Sequence, residues 1–168
     1  MNKSFTNIND AINYVYEEAS KMAIAGVLVG DAGPFGAGII KEMNNTYEVV
    51  SISHNTVVRS KDPTAHAEVN AIREACKKLN TNDLHDCILI TTAKSCPMCL
   101  SAAIWANIKT IYYSEDYEDA TEAGFRDDAI LQYIKGNNPD LIKEIQVKND
   151  ICKEPFIKWN NNSNKINY

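Results

Sequence analysis

Cys87-Ile88-Leu89-Ile90-Thr91-Thr92-Ala93-Lys94-Ser95-Cys96-Pro97-Met98-Cys99-Leu100 passes from one kind of structure to another. Cys87 to Ile90 is a continuous apolar run, the pattern of a strand buried on both faces, as in parallel sheets. Pro97 stands where a helix would begin, since a first helical position has no backbone hydrogen bond for proline to break. Moving outward, Ile108 to Tyr113 reads as a further strand. Upstream, Val69, Ile72, Cys76 and Leu79 mark one face of a helix from about Ala65 to Leu79, after a loop that Pro63 ends. Phe35 to Lys41 and Tyr47 to Ser53 read as strands of an antiparallel hairpin turning at Asn44-Asn45. Before the break at Gly33-Pro34, residues Ile8, Ile12, Val15, Tyr16, Ala19, Met22 and Ala23 recur at helical spacing. Asn7 is placed to cap that helix, and Asp10 is favourable in its first turn. Downstream, Asp127 to Lys135 is a helix, Leu141 to Val147 a last strand and Lys153 to Asn160 a last helix. Strands alternating with helices predict a three-layer α/β domain, and 168 residues suffice for one such domain spanning 1–168. The run Asn160 to Asn164 reads as poorly ordered from composition alone.

Composition narrows the function. The net charge of -5 and the lack of a basic stretch argue against a long nucleic acid as substrate. The acidic run Glu115, Asp116, Glu118, Asp119 and Glu122 reads as a solvated surface. The longest apolar run, Met22 to Gly30, falls short of the roughly 20 residues that span a membrane. Glu17 and Glu18 stand where a signal peptide would be apolar, so the expected compartment is the cytoplasm. The five cysteines, an odd number in such a chain, suggest metal or redox chemistry rather than a disulfide framework.

Two segments carry chemistry: Pro63-Thr64-Ala65-His66-Ala67-Glu68 and Cys96-Pro97-Met98-Cys99. Alone, His-x-Glu at a helix start is ordinary surface or capping chemistry. Alone, Cys-x-x-Cys is a redox pair, half of a structural zinc site, or chance; a thiol at a helix N-terminus has a lowered pKa, which supports the redox reading. Together they provide one imidazole and two thiolates, three ligands for one zinc ion per chain, with the fourth place left to water. That is the composition of a catalytic zinc site. Cys76, Cys87, His54 and His85 form no second pair at metal-binding spacing. Glu68, two residues from His66, is not expected to be a ligand. It is placed to take a proton from the water and return it to a substrate. His-x-Glu followed by Pro-Cys-x-x-Cys is the signature of the zinc deaminases; here Ser95 stands where the signature has its first proline. A thiol–disulfide oxidoreductase using Cys96 and Cys99, and a non-catalytic zinc-stabilised module, are the rival readings.

On these segments, with Gly33-Pro34-Phe35-Gly36-Ala37 and Glu122-Ala123-Gly124-Phe125, the chain resembles the cytidine-deaminase superfamily and, within it, the small bacterial guanine deaminases. The resemblance implies a three-layer α/β/α fold with a mixed five-stranded sheet and helices on both faces. It implies hydrolysis of guanine to xanthine and ammonia, with guanosine, ammeline-like triazines, cytosine and tRNA adenosine as alternative substrates. It assigns His66, Cys96 and Cys99 to zinc, Glu68 to proton transfer, and Asn55, Phe35, Ala67, Asp127 and Tyr168 to the purine. It implies a homodimer in which a C-terminal segment, about 150–168, crosses to the neighbouring subunit, Trp159 holding its place relative to the final tyrosine. That tail is then ordered. The chain departs from the family pattern at Ala93-Lys94-Ser95, where the family commonly ends Glu-Pro, at Arg126, at Gly26 to Ala32, and in a longer hairpin.

Overall fold

The computed structural model describes residues 3–30 and 32–166. A two-residue strand, β1 (Ser4–Phe5), precedes α1 (Ile8–Leu28). Asn7 caps α1, its side chain accepting from the Asn9 N–H at 2.8 Å. The helix buries Ala11, Val15, Ala19 and Ala23 along one stripe. β2 (Gly36–Met43) and β3 (Thr46–His54) form the hairpin. Its loop residues Asn44 and Asn45 have φ of 50° and 61°, left-handed backbone that asparagine tolerates better than most residues. Then come α2 (Val57–Ser60), α3 (Ala67–Leu79), β4 (Cys87–Ala93), α4 (Pro97–Trp105), β5 (Thr110–Glu115), α5 (Tyr117–Glu122) and α6 (Asp127–Ile134). A 3-10 turn at Asp150–Lys153 leads into α7 (Glu154–Asn161).

The sheet runs β1-β3-β2-β4-β5. β4 and β5 pair in parallel and every other pair is antiparallel, so the sheet is mixed. The apolar run in β4 is buried on both faces, as its sequence requires. Ile88 and Ile90 pack with Ile40 against Ala11 and Val15 of α1. Leu89 points the other way and, with Ala37 and Ile39, meets Ala71 and Ala75 of α3 and Ala103 of α4. Helices thus cover both faces. No described helix is long and apolar enough to cross a membrane.

α1 lies almost against β2. A Cβ built on Gly36 would sit 2.5 Å from the Ala19 carbonyl oxygen, and one on Gly38 would sit 2.7 Å from Val15 Cγ1. This close approach also fixes the start of β2, where Phe35 enters the site described below. Gly36→Ala is expected to lower stability by about 2 kcal/mol, the cost of forcing atoms into a packed interface. A denaturant midpoint equal to the parent's would contradict the close packing.

The structure corrects two expectations about elements. Leu141 to Val147 is not a strand; the stretch is irregular and exposed throughout. Among the described residues, it pairs with no strand of the sheet. The fifth strand is instead Ser4–Phe5, at the opposite edge beside β3. The Asn-rich tail is better ordered than its composition suggested: α7 continues to Asn161.

Candidate active site

α3 and α4 begin side by side, and each opens on a metal-binding residue type. His66 is the N-cap of α3 and Cys96 the N-cap of α4, both in extended backbone. Cys99 is the third residue of α4, and N-cap and third-residue side chains share one side of a helix start. Both sulfurs therefore face His66. Val69, from the first turns of α3, packs on Cys96 and Cys99 and seals them from behind.

The ligand atoms of His66, Cys96 and Cys99 all lie within 4.8 Å of one another. Cys96 Sγ is 3.6 Å from His66 Nδ1. A sulfur at about 2.3 Å and a nitrogen at about 2.0 Å from a tetrahedral zinc are about 3.5 Å apart, so the pair fits zinc with little rearrangement. Among the described residues, this is the one group of three or more His, Cys, Asp or Glu ligands drawn so close. The donor set leaves the fourth tetrahedral position without a protein ligand, which is the catalytic pattern.

The charges suit a cation. The hydrogen bond from the Cys99 thiol and the neighbouring His66 hold Cys96 down at about 4, despite burial. Cys99, the proton donor of the pair and itself buried, is pushed far up. The hydrogen bond to Cys96 raises His66 above its usual value. Cys96 is thus already a thiolate, while Cys99 and His66 hold protons that a dication would displace. Glu68, in the first turn of α3, is only 5% exposed. Burial raises its carboxyl above the usual carboxylate range, the direction that suits a group which both takes and gives a proton.

Beside these groups opens a cleft of about 420 Å³. His66, Glu68 and Cys96 are joined in its walls by Phe35, Asn55, Phe125 and Asp127. Asn55 is oriented by the backbone. Its Oδ1 accepts from the N–H groups of Gly33 at 3.3 Å and Val57 at 3.1 Å, which leaves its NH2 as the group it can offer a ligand. Phe35 meets Phe125 edge to face, with ring centroids 4.6 Å apart. Asp127 begins α6, and burial raises its carboxyl.

The family model described as the cytidine and deoxycytidylate deaminase zinc-binding region matches residues 9–115. The chain belongs to this deaminase family. A guanine deaminase of Bacillus subtilis is 43% identical over 153 residues, which cover 90% of this chain and 96% of that protein. A tRNA-specific adenosine deaminase of Aquifex aeolicus is 46% identical over 81 residues, 48% of this chain and 51% of that one. The X-ray structure of the Bacillus subtilis guanine deaminase superposes with a TM-score of 0.80 at 41% identity, over 93% of this chain and 98% of that one. Guanine deaminase from Nitrosomonas europaea gives 0.58 at 29% identity, over 68% of this chain and 62% of that one.

Within this deaminase fold, the structure brings together most of the residues singled out from the sequence. His66, Cys96, Cys99, Glu68, Asn55, Phe35 and Asp127 meet at one place. The Ala67 side chain does not line the cleft and is fully buried in the core. Tyr168 lies outside the described residues. Phe125 also walls the cleft, a place the sequence signals only by an aromatic beside a glycine just before a helix. Lys94 and Arg126, two of the departures from the family pattern, also border the cleft.

Proposed function

We propose that the chain is a zinc-dependent guanine deaminase, converting guanine and water to xanthine and ammonia. One observation carries the reading: a buried carboxyl, Glu68, shares a cleft with a zinc-fitting trio, and that cleft ends in an aromatic pair and a backbone-oriented amide. Similarity to a guanine deaminase along 90% of the chain, against about half for the tRNA enzyme, supports guanine over tRNA adenosine. So does the net charge of -5.

The chemistry that zinc supplies when held by His66, Cys96 and Cys99 is acidification of water, from about 15.7 towards about 7. The protein's residues do the rest. Phe35 and Phe125 accept the flat purine. The Asn55 NH2 donates to a purine oxygen or nitrogen acceptor, and Asp127 accepts from the ring N–H or the amino group. Glu68 takes the proton of the attacking water as the new C2–O bond forms and delivers it to a ring nitrogen. Glu68 then assists proton transfer to the amino group as the C2–N bond breaks and ammonia leaves. Guanine, guanosine, ammeline, cytosine and a tRNA anticodon stem-loop assayed together test the substrate. Ammonia release is expected from guanine, and guanine inert beside another substrate turned over would contradict the assignment.

The same reading makes the working protein a cytoplasmic homodimer, with the segment about 150–168 laid on a second copy and Tyr168 closing over its ligand. Every described residue from 139 to 166 is exposed, including Phe156 at 72%. Trp105 on α4 is also exposed, at 67%. Apolar surface of this kind marks an association site. Removing residues 150–168 is expected to give a monomer with little turnover, read by sedimentation and ammonia release. A truncated chain that stays dimeric and active would contradict the exchange.

A further inference from the structure

Ser95 immediately precedes the first cysteine ligand, where the deaminase signature has a proline. Proline fixes φ near −65° and so fixes the approach of the next residue. Serine does not, and its hydroxyl here is buried without a hydrogen-bond partner among the described residues. Something else must hold this link.

The restraint comes from the junction of β5 and α5. The Lys94 N–H donates to the Glu115 carbonyl at 2.7 Å, carrying the sheet ladder one residue beyond the end of β4. The Tyr117 hydroxyl donates to the Ser95 carbonyl at 2.8 Å. Lys94 Nζ pairs with Asp116 Oδ1 at 3.1 Å and stands 4.8 Å from the centre of the Tyr117 ring. Asp116 is itself held, as the N-cap of α5 in a reciprocal capping box with Asp119. The contacts from Glu115, Asp116 and Tyr117 all fall on the two residues before Cys96. An exposed ion pair alone would contribute little. A hydrogen bond to the backbone of the link, with a cation stacked on the donor ring, restrains it directly.

We propose that Tyr117, Lys94 and Asp116 form a positioning clamp that sets Cys96 Sγ for zinc, replacing with side chains the restraint a proline would supply. Tyr117 acts through the Ser95 carbonyl and does not wall the cleft, so it is a positioning residue. The proposal rests on the zinc reading above and makes its own prediction. The clamp and a proline at 95 are interchangeable. Among the described residues, the Ser95 N–H makes no backbone hydrogen bond that proline would remove.

The test is the rate at which zinc-loaded protein gives up its metal to a chromogenic chelator. Zinc content is measured first, because a parent chain that binds no zinc contradicts the metal reading itself. Tyr117→Phe is expected to release zinc about fivefold faster than the parent. Tyr117→Phe with Lys94→Met should be about tenfold faster or more, the effect usual for outer partners of a metal site. Adding Ser95→Pro to either variant should return release to the parent rate. Far-UV circular dichroism and melting of the metal-free proteins monitor folding, which a merely structural role would change in step. Parent-like release from a fully loaded Tyr117→Phe variant overturns the clamp. So does fast release that Ser95→Pro leaves uncorrected in a folded protein.

Discussion

Glu68→Gln is expected to bind a full complement of zinc and to lose between about 10² and 10⁴ of kcat, the range for removing a positioned acid–base group. The variant keeps shape and volume, and it removes only the capacity to take and return a proton. Glu68 stands outside the trio of ligand atoms, so zinc should stay. Burial already disfavours its charged form; a neutral amide there should fold at least as well as the carboxyl. Three readouts therefore separate: metal content unchanged, melting temperature unchanged or raised, ammonia release nearly abolished. A variant that lost its zinc would make Glu68 a ligand, and one that kept its rate would remove it from the reaction.

Cys99→Ala carries the second large effect. Cys99 is fully buried at the centre of the ligand trio. Without it, one sulfur and one nitrogen remain, and zinc should be lost together with turnover. The consequence extends to stability. A ligand that binds only the folded chain stabilises it by about 4 kcal/mol when present at roughly a thousand times its dissociation constant. The parent should therefore melt lower after chelation, and Cys99→Ala should melt near the chelated parent whether or not zinc is added. Cys96→Ala should behave alike. A redox pair would respond differently: melting would follow the thiol–disulfide state and ignore zinc. His66 at 3.6 Å from Cys96 Sγ would then have no task.

Much of the site was legible in the sequence because metal binding needs particular atoms at particular spacings. Cys96 and Cys99 share a helix start, and a three-residue separation brings N-cap and third-residue side chains together. His66 and Glu68 stand at and just inside another start. The same local rules revealed the hairpin at Asn44-Asn45 and the doubly buried strand β4. Where the reading missed, the deciding forces were not local. Leu141 to Val147 has strand-like composition but no strand partner among the described residues, and strands exist only in pairs. Ser4–Phe5 is too short to show alternation and pairs only because β3 offers an edge. The acidic run holds α5, since Asp116 and Asp119 cap each other and turn a solvated stretch into a helix start. The role of Phe125 depends on its contact with Phe35, ninety residues earlier in the chain.

X-ray absorption at the zinc edge of the purified protein tests the central claim most directly. Two sulfurs at about 2.3 Å and two lighter atoms at about 2.0 Å, only one of them a histidine nitrogen, are the expected shell for a single zinc per chain. A protein that purifies and remains active without zinc, or a shell closed by four protein ligands, would contradict it.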